Sequence, residues 1–337
     1  MNAMAIPEGE RKTDMLIHTP VLLAVTLIPA AWFSPSETNK PQQNTPQISA
    51  VSTAPRPLSS LLQKAQAGDP DAQYQLGRSY MDGTGVPLDY TQAAFWYQKS
   101  AQQGFPQAQF TLGYLYEQGK GVKRDYRQAI AFYTAAAEQQ SPDAQNNLGA
   151  MYVHGKGVHK DLNQAVYWYR KAAEHGHVIA ASNLASLYLK GKGVPQDLPQ
   201  AAVWFRVAAN RGFTPAQENL AWMYFTGTGL TLDYSQAEKW VRKAALAGDA
   251  RAQLDLGYLY EQGKGVSLDY ISAYSWYKAA SNGGEKRADS ALRNLSTLMS
   301  KAQIQQAITA AASLPQPSAA SGAYANADTL GTFLGRR

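Results

Sequence analysis

Leu112–Val122 and Leu256–Val266 carry the same eleven residues, LGYLYEQGKGV. They are two copies of a pattern that recurs six times without a change of spacing. Ala72, Ala108, Ala144, Ala180, Ala216, Ala252 and Ala288 fall every 36 residues, and Leu76, Leu112, Leu148, Leu184, Leu220, Leu256 and Leu292 keep the same step. This period constrains the fold more than any other feature. A unit so short cannot bury its apolar face alone, so the units must stack as a solenoid.

Within a unit, apolar residues at i, i+4, i+7 and i+8 (Ala144, Leu148, Met151, Tyr152) form one stripe of a helix, here called helix A. Gly77, Gly113, Gly149 and Gly257 follow the leucine, with Ala185 and Ala221 in two other copies. A glycine in mid-helix costs about 1 kcal/mol of propensity, which predicts a second helix packed against the backbone there. Helix A stops at paired glycines such as Gly119/Gly121, which permit a tight reversal. Helix B then opens at Asp89, Asp125, Asp161, Asp197, Asp233 and Asp269. Five of these have glutamine three residues on, the spacing of a capping box. These aspartates therefore read as structural. Asp69-Pro70, Ser141-Pro142 and Thr214-Pro215 read as the cap and first position of the next helix A.

The pattern resembles the Sel-one-like repeats, relatives of the tetratricopeptide repeats, over Asp71 to about Ser313. The resemblance implies an all-α fold, a right-handed α/α solenoid of six 36-residue helix-turn-helix repeats with helical caps. It further implies a concave face lined by helix A and a role as scaffold or adaptor. Some secreted members tie each helix pair with a disulfide and have been linked to penicillin binding. This chain has no cysteine, so that activity is not carried over.

The expected organisation is a leader in 1–33, a linker in 34–57, a capping helix in 58–70, repeats in 71–286, capping helices in 287–313 and a disordered tail in 314–337. Met15–Phe33 is the one long apolar run and follows Arg11 and Lys12. It reads as a secretory signal or an N-terminal membrane anchor, which puts the repeats in the periplasm or outside the cell. Ser300 and Gln303 form a second capping box that opens a final helix.

No catalytic motif of the common hydrolase, metalloprotease or nucleotide-binding kinds occurs. His154/His159 and His175/His177 lie at opposite ends of helices, roughly 20 Å apart at 1.5 Å per residue, so no metal site is expected. The G-K-G lysines Lys120, Lys156, Lys192 and Lys264 read as repeat turns forming a solvated rim or a lysine row. The net charge of +6 is not gathered into a basic tract, so no nucleic-acid partner is expected. No cofactor and no small-molecule substrate is expected either.

What differs between copies points to binding. With the alanine as zero, offsets two, six and nine lie on the helix A face away from the stripe. They place Phe110, Tyr114, Trp222, Phe225 and Tyr258 there. Exposed aromatics suit a binding surface, while the alternative is packing against the next helix A. Offset three adds Asn147, Asn183 and Asn219, which could hold an extended peptide backbone or bridge adjacent helices. The expected function is a non-enzymatic adaptor that binds a protein or peptide in the groove. A neutraliser of a secreted effector is the rival within binding functions, and a cell-wall-directed enzyme is the rival from another class.

Overall fold

The computed structural model describes residues 56–316, all within one compact unit. The apolar run 15–33, nearly all of the linker and the tail from 317 onward lie outside the described residues. Those residues form fifteen helices and no strand. The A helices are α2 (Pro70–Asp82), α4 (Pro106–Gln118), α6 (Pro142–His154), α8 (Val178–Lys190), α10 (Thr214–Thr226) and α12 (Ala250–Gln262). Their B partners are α3 (Tyr90–Gln102), α5 (Tyr126–Glu138), α7 (Leu162–Glu174), α9 (Leu198–Asn210), α11 (Tyr234–Leu246) and α13 (Tyr270–Asn282). Each helix packs mainly on the one before and the one after, as stacked pairs must.

The mid-helix glycines do face a neighbour. A Cβ on Gly113 would sit 2.8 Å from the Tyr133 ring, and the same holds for Gly77 with Tyr97, Gly149 with Tyr169 and Gly257 with Tyr277. Where helix A has Ala185 or Ala221, helix B has the smaller Phe205 or Val241 at the matching position. The tyrosine hydroxyls explain part of the variation at offset nine. Tyr133 donates to Glu117 at 2.8 Å and Tyr277 to Glu261 at 2.6 Å. Phe205 and Val241 lack the hydroxyl, and their units carry Leu189 and Phe225 at offset nine.

The second glycine of the G-x-G turn joins unit to unit from the second unit onward. Gly121 has φ +69°, and a Cβ there would lie 2.0 Å from the Tyr90 carbonyl oxygen of the preceding unit. A buried glutamine beside the alanine makes a second junction. Gln73, Gln109, Gln145, Gln217 and Gln253 each donate Nε2 to the carbonyl of an alanine at the end of the previous helix B. In the first three units its Oε1 meets Gln103, Gln139 or His175 from helix B of its own unit.

Two local expectations change. The aspartates cap helix B, as Asp125 does by accepting from the Arg127 and Gln128 amides. The reciprocal half of the capping box is absent, because the aspartate amide donates instead to the helix A carbonyl of Tyr80, Tyr116 or its equivalent. The expected cap at Thr214 also shifts by one residue, with Phe213 at the cap position and no side-chain bond. The box at Ser300 and Gln303 has both halves.

At the first end, α1 (Arg56–Gln66) packs on α2 as a lone B-type helix, with Leu58 and Ala65 buried beside Trp96. At the other end, α14 (Arg287–Ser296) and α15 (Lys301–Ala312) both pack on α13. Leu292 keeps the numerical phase but is half-buried, and Leu295 takes the core position. Helix α14 starts without a side-chain cap, and Ala288 and Leu295 keep the buried offsets zero and seven of the repeat.

Candidate functional site

The A-helix face is less open than its sequence implies. Offset two is filled by packed residues, with Leu254 fully buried and Phe110 half-buried against the Tyr133 ring at 5.8 Å. Trp222 is 8% exposed and belongs to a core cluster that runs from Ala173 of the third unit to Trp276 of the sixth. The asparagines grade from open to closed along the stack. Asn147 and Asn183 are half-buried, and Asn219 is 1% exposed. Asn147 reaches the Tyr133 hydroxyl and also accepts from Asn146 Nδ2 at 3.3 Å.

Phe110, Tyr114, Phe225 and Tyr258 are half-buried, and the structure gathers the last three with lysines. Lys264 Nζ lies 5.0 Å from the Phe225 ring centre, 5.4 Å from Tyr234 and 5.4 Å from Tyr258. Lys120 Nζ lies 5.4 Å from Tyr90 and 5.6 Å from Tyr114. Lys156 sits over Tyr126 at 5.8 Å and near Glu117 at 3.8 Å. These lysines are therefore not a uniformly solvated rim. The ammonium groups lean onto aromatic faces through cation–π attraction. The signal was present in the spacing, since Tyr90, Tyr126 and Tyr234 each stand 30 residues before the lysine that covers them. Lys192 has Leu162 at that position and no such cluster.

An acidic cluster lies at the N-terminal ends of the later A helices. Glu218 is buried and pairs with Arg251 at 3.2 Å, while Asp249 and Asp255 are also buried. Burial pushes the Glu218 carboxyl well above the usual range, and Asp249 raises it further against the pull of Arg251. Glu285 and Arg287 close the group with a 2.8 Å ion pair.

The histidines act as substitutes within the repeat. His175 Nδ1 meets Gln145 Oε1 at 3.1 Å, where the earlier units use a glutamine. His177 Nδ1 accepts from the Ala180 amide at 3.1 Å and caps α8, while Nε2 faces Asp143 at 3.3 Å. Among the described residues no three metal ligands converge. Burial lowers the His177 pKa, with Asp143 acting in the opposite direction. A histidine whose pKa is lower folded than unfolded contributes stability above its unfolded pKa and loses it as pH falls through the folded one. Protonation also removes the lone pair that makes the cap. Wild-type protein should lose up to about 1 kcal/mol between about pH 7 and pH 5 from this group. Urea unfolding across that range should show a flatter profile for His177→Asn, and an unchanged profile would refute this role.

Six Sel1 repeats match the chain at residues 70–105, 106–141, 142–177, 178–213, 214–249 and 250–285. A protective antigen present in uropathogenic Escherichia coli strains, which displays an SLR fold, is 34% identical with a TM-score of 0.71. The match covers 82% of this chain and 60% of the antigen, so this chain spans only part of that protein's length. A Sel1 repeat protein from Oxalobacter formigenes is 32% identical with a TM-score of 0.56, covering 66% of this chain and 94% of the other. No curated protein matches the chain.

Proposed function

Because this chain belongs to the Sel1 repeat family, we propose that it is a non-enzymatic scaffold that holds a protein segment against its A helices. Sel1 repeats are typically protein-interaction modules. The observation that carries the reading is the pair of aromatic–lysine clusters, Tyr90/Tyr114/Lys120 and Phe225/Tyr234/Tyr258/Lys264. Half-exposed aromatics provide contact area, and the lysine at each edge favours carboxylates or polar backbone from the partner. Asn147 and Asn183 lie on the same face between the two clusters and offer both donors and acceptors to a peptide backbone. Asn219 and Trp222 support this face from beneath.

The test is capture of a partner by the immobilised full-length chain, followed by affinity measurement with variants. Tyr114→Ala and Tyr258→Ala should each weaken binding by about 2 kcal/mol if the rings are anchors, with helicity unchanged. Unchanged affinity in both variants would move the binding surface elsewhere on the solenoid.

A further inference from the structure

The B helices of the later units carry a charge that the A-face reading does not use. Helices α7, α9, α11 and α13 hold seven lysines or arginines and two glutamates, a net +5. Their partners α6, α8, α10 and α12 hold two cations and four acids, a net −2. Charge is thus segregated between the two helix layers. Part of it is in register, since Arg170, Arg206, Arg242 and Lys278 stand 36 residues apart on the same turn of helix B. Gln98 and Thr134 take that position in the first two units, so the row begins at the third.

The arginines are held in place from the next unit. Arg170 donates to the Tyr188 hydroxyl at 2.6 Å, Arg206 to Tyr224 at 2.9 Å and Arg242 to Tyr260 at 2.7 Å. Each of these bonds uses one of the five donors of a guanidinium. Arg242 also meets Glu238, whereas neither Arg170 nor Arg206 is in an ion pair among the described residues. Each cation stands on a B helix one unit beyond the last, so the row advances along the stack by one positive charge per unit.

We propose that this row is a docking track for an acidic polypeptide segment running along the stack on the B-helix side. An extended strand advances about 3.3 Å per residue, so one segment with repeated carboxylates can run past successive cations. The guanidiniums are already ordered by tyrosine, which reduces the entropy lost when they bind carboxylates. The line is narrow, because the neighbouring position alternates Lys171, Val207, Lys243 and Ala279. A narrow line suits a chain, whereas an anionic bilayer is matched by cations spread over a plane. This surface is separate from the A-helix clusters and does not depend on them.

The probe is a labelled peptide of repeated Glu-Ser-Gly, titrated against the full chain and followed by fluorescence anisotropy. Saturable binding that weakens as salt rises is expected. Arg170→Gln and Arg206→Gln should each lower affinity up to about fivefold, Arg→Lys at the same positions should retain most of it, and Gln98→Ala, at the exposed equivalent position of the first unit, should leave it unchanged. Absence of saturable binding, or equal binding by the double glutamine variant with its helicity intact, overturns the proposal. A preference for phosphatidylglycerol vesicles over the peptide, lost in that same variant, overturns it in favour of a membrane.

Discussion

Gly121→Ala should lose about 3–5 kcal/mol of stability, enough to melt the first units of the stack near room temperature. Two effects act together there. The left-handed backbone at φ +69° disfavours any side chain by about 1–2 kcal/mol. The added methyl would also fall 2.0 Å from the Tyr90 carbonyl oxygen and 2.2 Å from its carbon, which are backbone atoms fixed by the start of α3. The natural control is Gly85→Ala, the same turn in the first unit. Its φ is +77°, but the nearest atom is Leu58 Cδ2 at 3.8 Å, because no full unit precedes it. It should lose only the backbone component. Urea unfolding of both variants by circular dichroism measures the difference, and equal losses would show that the turn, not the unit–unit contact, sets the cost.

Trp222→Ala should lose about 3–5 kcal/mol through the cavity it leaves in the core cluster that runs from the third unit to the sixth. Tyr258→Ala, on the neighbouring A helix but half-exposed, should lose markedly less. Thermal melts of the two variants provide the check. If Trp222→Ala melts like wild type while partner affinity collapses, the indole is a surface anchor and its buried position here is not the one that counts. The two mutations thus separate residues that support the A face from residues that present it.

The repeat, the helix pairs and the reason for glycine inside helix A were all legible in the chain. Each depends on contacts that recur at fixed spacing, so six copies repeat the same statement. The face formed by offsets two, six and nine was harder to read. Whether a residue such as Trp222 is buried or open depends on how its neighbours one unit away fill the gap between A helices. Phe225 and Tyr258 pack against the same cluster as Trp222, and no rule of helical periodicity sets their combined volume. The Tyr–Lys clusters escaped notice for another reason. Their partners lie 30 residues apart, across a unit boundary, where an analysis of single helices does not look. The glutamine at offset one carries no signal in the periodicity, yet it is buried with its amide spent on a carbonyl of the previous unit. His177 looked like a loop histidine and turned out to act as a cap, in the place where other units use aspartate or serine.

Helix α14 buries Ala288, Ala291 and Leu295 against the sixth unit and turns Asp289, Ser290 and Arg293 to solvent. Helix α15 covers the outer side of α13, where the Ser275 hydroxyl donates to the Ala307 carbonyl at 3.0 Å, and Gln253 Nε2 binds the Pro315 carbonyl at 2.9 Å. A translationally repeated array has two different ends that are complementary to each other, so bare copies would add head to tail without limit. Such growth is heterologous and does not close on itself. With α1 over one end and α14 and α15 over the other, the surfaces that would propagate a filament are already occupied by the chain itself.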